Sequence, residues 1–466
     1  MSSSSAAPTE LGTEKISTLL KMYAVPGIIA QTASSLYNIV DSVYIGHIPG
    51  VGSAAISGLA VTFPLMNLSA AMGTLVGVGA MTLVSVLLGQ KNYDVARKVL
   101  SNVLALNIII GLLFSAVTLG FLTPILRFFG ASDVTLPYAR DYMTIILVGN
   151  VFTHLYFGFN GLVRSSGHPK TAMGLTLFTV LSNAILDPIL IFGFGMGIKG
   201  AAIATVVCQL MALVYVLWFF SDKSKVLLHF SKPVFQIDWR IAKQSLAIGT
   251  GPFLMNAAAC MVAMFINQQL GKYGGDMAIG AYGIINRITM LFLMVCMGFN
   301  QGLQPIAGYN YGARQYHRVK EVFLLTAKWE ILVTSVCFLV SELIPEVAVR
   351  LFTSDPALIK MAAHGMRVMN AAVFMVGFAV VSGNLFQCLG MVKISIFLSL
   401  TRQLIFLIPL IYTLPLWLKE TGVWISFPIA DLVSSIISLF FILRLFRKFD
   451  KLKDGDDPSS LGGAIE

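Results

Sequence analysis

Residues 37–46 read Tyr-Asn-Ile-Val-Asp-Ser-Val-Tyr-Ile-Gly, and the setting of that aspartate decides the fold. From Met22 to Gln90, Asp41 is the only formal charge. A second acid, Asp187, stands in Asn183-Ala-Ile-Leu-Asp187-Pro188, with no charge from Thr171 to Leu186 or from Pro188 to Ile198. Apolar runs of this length cross a hydrocarbon core of about 30 Å as helices. A carboxylate at that depth costs a few kcal/mol, so its ordinary meaning is functional. Two in one half of a chain suggest a proton or cation site that drives something across a bilayer.

The rest of the chain has the same character. Hydrophobic residues make up 56% and charged residues 12%, against about a quarter charged in a soluble domain. Uncharged stretches recur at 99–126, 200–221, 244–271 and 368–392, and 142–163 carries only a histidine. They are continuous rather than alternating, which argues against a β-barrel. The pattern predicts an all-α polytopic membrane protein with twelve transmembrane helices, near 17–46, 53–88, 97–120, 138–161, 170–192, 198–221, 243–270, 277–308, 320–344, 363–388, 394–416 and 422–445. The loops between them leave no room for a soluble domain. The five cysteines all fall in apolar spans and read as small core residues rather than a disulfide frame.

The net charge of +10 is a matter of topology. With the N-terminus placed in the cytoplasm, 21 of the 32 Lys and Arg fall in cytoplasmic segments, seven on the opposite side and four within spans. That is the positive-inside bias. It excludes nucleic acid as a partner and predicts cytoplasmic N- and C-termini. Residues 1–14 are Ser-rich without a cleavable signal and, like residues 450–466, are expected to be disordered tails.

The chain is a duplication. Gly89, Lys91, Tyr93 and Arg97 recur as Gly312, Arg314, Tyr316 and Lys320, and Arg127 and Phe129 as Arg350 and Phe352, all at an offset of 223. Pro26 meets Pro252 and Gly197 meets Gly422 at slightly longer offsets. Similarity spread at a near-constant offset marks a repeat. Six spans per half make the repeats parallel, related by an axis along the membrane normal. The expected organisation is an N-lobe over 15–221, a cytoplasmic linker over 222–242 and a C-lobe over 243–449, forming a V-shaped two-lobed transporter. Asp41 has Asn267 as its counterpart and Asp187 falls near Leu410. The second half therefore lacks both acids, which favours ion coupling in the first.

Asn183 and Asp187 lie four residues apart, on one helical face. Thr205 lies one turn inside the next span. Carboxylate, amide and hydroxyl oxygens are the ligands hard cations such as Na⁺ take, and two carboxylates sharing a site do not titrate independently. The competing reading is a satisfied structural network. Pro26 precedes Asp41 by about four turns and reads either as a static kink or as a hinge. Arg287, Lys328, Glu330, Arg402 and Asp431 are further charges within spans; Asp431 with Arg402 or Arg287 is a candidate pair, and a substrate role for one of them is the alternative. Gly195-Met-Gly197-Ile-Lys-Gly200 matches a dinucleotide-binding pattern but sits in a hairpin between two apolar helices, without a strand. No HExxH, GxSxG or Walker A sequence occurs and the six histidines are scattered, so the chain does not read as an enzyme and implies no cofactor beyond a coupling ion.

Pro26 followed by residues 37–46, then Gly161-Leu-Val-Arg164-Ser-Ser-Gly167-His-Pro169, then Asn183 to Pro188, together resemble the multidrug and toxic compound extrusion (MATE) transporters over about residues 15–445. The pattern is similar to the prokaryotic branch with its coupling acids in the N-terminal lobe; the span that carries an acid in the other bacterial branch here offers Asn256, Asn267, Gln268 and Gln269. The resemblance implies a secondary active antiporter in a bacterial inner (plasma) membrane, exporting amphipathic, often cationic organic compounds in exchange for H⁺ or Na⁺. It implies Asp41, Asn183, Asp187 and Thr205 as the cation site, Pro26 as the bending point, and Arg287, Arg402, Asp431 and Asn267 as a cavity or C-lobe network. A monomer is expected. The alternative is a flippase for lipid-linked sugar precursors, whose pyrophosphate would call on Arg287 and Arg402.

Overall fold

The computed structural model describes residues 10–222, 226–231, 235 and 237–456. Residues 1–9, the linker positions 223–225, 232–234 and 236, and residues 457–466 of the two expected tails lie outside the described residues. In lipid every backbone N–H and C=O must be satisfied within the chain, which favours helices, and the described chain is helical nearly throughout. In order these are α1 (Glu10–Thr13), α2 (Ile16–Gly46), α3 (Gly52–Gly89), α4 (Tyr93–Gly120), α5 (Leu122–Phe128), α6 (Leu136–Val148), α7 (Asn150–Ser165), α8 (Pro169–Pro188) and α9 (Ile198–Ser221). There follow α10 (Trp239–Gly312), α11 (Tyr316–Leu343), α12 (Pro345–Arg350), α13 (Pro356–Met369), α14 (Val373–Cys388), α15 (Val392–Leu400), α16 (Ile408–Thr413) and α17 (Pro415–Phe449). Turns of π-helix, Ile189–Gly193 and Thr401–Leu407, follow α8 and α15.

Eight of these helices are long and apolar enough to cross a membrane, and two bent pairs, α6–α7 (56°) and α13–α14 (54°), raise the number to ten. The 74-residue α10 is two helices joined through Gly275, whose φ is +69°, and the 31-residue α2 is about 46 Å long at 1.5 Å per residue. The twelve passes expected from the sequence follow. Large apolar side chains such as Phe63, Leu113, Leu181, Trp218 and Phe440 are exposed, as a lipid-facing surface requires.

The repeat is visible in the backbone. α4 and α11 each have 28 residues and begin at Tyr93 and Tyr316; α7 and α14 each have 16 and begin at Asn150 and Val373. Lys91 and Arg314 both take positive φ, 59° and 58°. The pairing of Gly197 with Gly422 needs correction. Gly197 (φ 56°, ψ −138°) matches Lys419 (φ 52°, ψ −133°). Gly422 matches Gly200 instead: both pack against a carbonyl of the preceding hairpin, Leu414 and Leu190 respectively, where a Cβ would come within 2.9 Å.

Two compact units result. Unit 1 contains Ile29–Phe253 and unit 2 contains Glu14–Ile28 with Leu254–Glu466. Each unit thus includes the start of the other repeat's first helix. Glycine makes this possible. In unit 1 a Cβ on Gly79 would stand 1.8 Å from the Ser245 carbonyl oxygen, and one on Gly249 1.7 Å from that of Leu75. In unit 2 Cβ atoms on Gly298 and Gly302 would meet Ile28 Cα at 2.6 Å and Ala24 N at 2.8 Å. Helix backbones approach this closely only over small residues.

Residues 10–13 and 450–456, expected to belong to disordered tails, pack against the rest of the chain. Leu11 of α1 is buried. The Asp454 carboxylate accepts from the Tyr316 N–H (3.0 Å) and pairs with His317, the Asp456 carbonyl accepts from the Tyr316 hydroxyl (2.7 Å), and Asp450 pairs with Lys320 (3.0 Å). Part of the linker is also held on unit 1: Arg97 donates to the Leu227 carbonyl at 3.2 Å and Asp238 N to Asn102 Oδ1 at 3.1 Å.

Two stability predictions follow from this packing. Gly79→Val has no room to relax against backbone, so the expected loss exceeds about 3 kcal/mol, beyond ordinary overpacking; the monodisperse fraction in detergent should collapse, and wild-type behaviour would contradict the close approach. Lys419→Gly relieves a conformation that non-glycine residues hold at about 1–3 kcal/mol and should raise the apparent melting temperature.

Candidate functional site

The chemistry of unit 1 gathers on α2, α8 and α9. The α-helical period brings Tyr37 and Asp41 one turn apart on α2, and Asn183 and Asp187 one turn apart on α8. Asp41 is 6% exposed and Asp187 is fully buried. Their carboxyl groups lie side by side. Two ionised carboxylates that close repel strongly. Asp41 Oδ1 has no partner, and no Lys or Arg pairs with either acid among the described residues.

Asn183 and Thr205 close the cluster. With its amide nitrogen toward Asp187, Asn183 donates to Oδ2 at 2.7 Å and Oδ1 at 3.3 Å, while its Oδ1 accepts from the Thr205 N–H at 3.0 Å. The Thr205 hydroxyl donates to the Ala201 carbonyl at 3.1 Å, which leaves its oxygen to accept from the Tyr37 hydroxyl at 2.9 Å. A chain of contacts runs from Tyr37 through Thr205 and Asn183 to Asp187 and Asp41. The structure therefore brings together Asp41, Asn183, Asp187 and Thr205. It adds Tyr37, which the sequence analysis quoted but did not place in the site. Its spacing of four from Asp41 was the available signal.

Oxygen atoms of carboxylate, amide and hydroxyl type surround the acids, the donor set suited to a proton or a hard monovalent cation. Pro188 follows Asp187 directly and has no N–H to give to the preceding turn; the helix there passes into the π-turn Ile189–Gly193. Such irregularities commonly mark functional positions. Pro26 lies inside the continuous helix α2, in the segment that belongs to unit 2.

In unit 2, Asp431 pairs with Arg402 at 2.5 Å, and Asp431 is 3% exposed. Arg402 sits on the π-turn Thr401–Leu407. Arg287 and Asn267 lie on α10, and neither belongs to this pair. Glu330, another of the charges within spans, is buried, with no partner of opposite charge among the described residues.

Comparison with known proteins agrees with this architecture. The family model MatE matches residues 26–189 and 253–413. The multidrug export protein MepA of Staphylococcus haemolyticus is 28% identical over 426 residues, 91% of this chain and 92% of that protein, and MepA of Staphylococcus aureus is 29% identical over the same coverage. A solved structure of the MATE multidrug transporter DinF-BH is 34% identical, with a TM-score of 0.87, covering 97% of this chain and all of that one. An outward-facing MATE transporter of the MOP superfamily shares the fold at a TM-score of 0.89 and 21% identity over 96% of this chain and 99% of that one. With both repeats matched by the family model, the chain belongs to the MatE family, the multidrug and toxic compound extrusion transporters.

Proposed function

We propose that this protein is a secondary active efflux antiporter of a bacterial plasma membrane, with cytoplasmic termini. It exports amphipathic, often cationic organic compounds in exchange for H⁺ or Na⁺ by alternating access. The observation that carries this reading is the buried contact between Asp41 and Asp187, without a basic partner. The MepA relatives are named multidrug export proteins and DinF-BH a multidrug transporter.

The acids do the coupling. When the pair is ionised, desolvation and mutual repulsion oppose their close contact. A proton or Na⁺ at Asp41, Asn183, Asp187 and Thr205 offsets both and lets α2 lie against α8 and α9. Tyr37 ties the same helix to Thr205, so the position of α2 follows the charge state of the site. Pro26 gives the helix a point of low bending resistance. Binding of a cationic substrate favours the ionised acids, which lowers the affinity for the coupling ion; this reciprocity is what exchange requires. The flippase alternative called on two arginines, and Arg402 is committed to Asp431.

In proteoliposomes loaded with a cationic dye, an imposed pH or Na⁺ gradient should drive transport in the wild type. Asp41→Asn and Asp187→Asn should insert normally and lose the gradient-driven part. Tyr37→Phe should retain transport reduced by about tenfold, the usual effect of losing an outer-shell partner. Undiminished coupled transport in both aspartate variants would overturn the assignment. For the Arg402–Asp431 pair a structural role is expected. Asp431→Asn leaves a half-buried guanidinium unpaired and should cost stability, by less than the roughly 3–5 kcal/mol of a fully buried pair, whereas the double change Arg402→Met, Asp431→Leu should recover most of it. Recovery of stability without recovery of transport would show that the pair also serves the substrate.

A further inference from the structure

Glu330 of α11 is the buried glutamate of the described chain, with 0% exposure. Neither carboxyl oxygen has a hydrogen-bond partner. Its backbone carbonyl is occupied: it accepts from Thr334 Oγ1 at 2.9 Å and packs against Gly377 of α14, where a Cβ would stand 2.7 Å away. The titratable groups around it are thiols. Cys296 faces it from α10, with Cys337 of α11 beside that thiol, and Cys388 of α14 reaches Asn384. Among the described residues no Lys, Arg or His pairs with it, and Lys328, two residues away, is exposed on another side of the helix.

Two amides stand next to this carboxyl. Asn300 of α10 lies beside it, donating from Nδ2 to the Cys296 carbonyl at 3.2 Å and accepting at Oδ1 from Asn384 Nδ2 at 2.6 Å. Asn300 is 8% exposed, whereas Asn384 is only half-buried. A polar path therefore leads from the surface of unit 2 to an acid with no counter-charge.

The repeat shows that this cluster is not part of the shared scaffold. At the offset of 223 that aligns α4 with α11 and α7 with α14, Glu330 falls on Asn107, Asn300 on Gly77 and Asn384 on Gly161. In unit 1 both glycine positions are closed by packing: a Cβ on Gly77 would meet Gly158 Cα at 3.1 Å, and one on Gly161 would meet Met81 Sδ at 2.1 Å. Unit 2 places two amides where unit 1 packs glycine against its neighbours, and an acid where unit 1 has Asn107.

A carboxylate without partner or counter-ion in such surroundings is too costly to persist, so the group is held as the neutral acid. We infer that Glu330, with Asn300 and Asn384, forms a second proton-binding site, in unit 2, that loads and unloads through Asn384. On release the O–H bond of Glu330 breaks, the proton passes to water at Asn384, and the Asn300 amide turns to donate to the carboxylate left behind. Its timing within the transport cycle rests on the antiport reading above; the binding of a proton at Glu330 does not.

The test is infrared spectroscopy of the purified protein in lipid bilayers, reading the carbonyl stretch of protonated carboxylic acids across a pH titration and on addition of a cationic rhodamine dye. Wild type, Glu330→Gln and the double variant Asp41→Asn, Asp187→Asn are compared. The expected result is a band lost in Glu330→Gln, kept in the aspartate double variant, and diminished as pH rises or dye is added. Carbon-isotope-labelled glutamate in the wild type shifts the same band, so the result stands even if Glu330→Gln does not insert. A spectrum unaffected by both the variant and the label would overturn the site, and so would a Glu330 band indifferent to both pH and dye. Failure of the antiport reading would look different: no gradient-driven dye movement in the wild type, with the Glu330 band still titrating.

Discussion

A carboxyl group withdrawn from water must be paired with a cation, hydrogen-bonded, or neutralised by a proton. The four buried acids among the described residues meet this demand in different ways. Asp431 is paired, with Arg402. Among the described residues Asp41 and Asp187 have only each other and the polar groups of Asn183 and Thr205. Among the same residues Glu330 has no cation partner, and the Asn300 amide lies beside it. On the proposed antiport reading, where α2, α8 and α9 lie in unit 1 depends on ion occupancy as well as on apolar packing. An apolar side chain packs alike at any ion concentration; a carboxylate pair does not, and on that reading the difference makes a helix position responsive to a gradient.

The two repeats divide these roles. They share helix lengths, the positive-φ positions Lys91 and Arg314, and the bends between α6 and α7 and between α13 and α14. They differ where acids are buried. The absence of an acid opposite Asp41 and Asp187 was readable from the sequence and pointed to unit 1. The converse reading, that Glu330 has no acidic counterpart in unit 1, was equally available, but in the sequence Glu330 stood among Arg287, Lys328 and Arg402 and looked neutralised. Only the structure shows that Arg402 is taken by Asp431 and that Lys328 points elsewhere.

Much of the fold was legible because lipid imposes one rule on every span: long apolar runs form helices, and their number gives the two six-helix repeats. The grouping of Asn183 and Asp187 was legible because they share a helical face, and the two aspartates stood out because acids at membrane depth are costly. Tyr37 was missed although its spacing from Asp41 is the same four residues, since a tyrosine in an apolar helix carries no energetic flag. The assignment of residues 14–28 to unit 2 and of the start of α10 to unit 1 left no mark in hydropathy. Its signal lay in glycines 79, 249, 298 and 302, and glycine within a membrane helix has several other uses. The ordered stretches at 10–13 and 450–456 were hidden because their partners, such as Tyr316 and His317 for Asp454, are far away in sequence.

That assignment also bears on how the chain is made. The face of α2 around Ala24 and Ile28 packs against Gly302 and Gly298, about 275 residues further along. At a synthesis rate of about 5–20 residues per second, α2 is in the bilayer on the order of tens of seconds before that surface exists. During that interval neither unit can be completed, because unit 1 awaits Ser245 and Gly249 just as unit 2 awaits most of itself. The first repeat cannot mature as an independent half-transporter; the nascent chain must keep an early helix loosely held, in lipid or by an insertion factor, until the second repeat arrives to receive it.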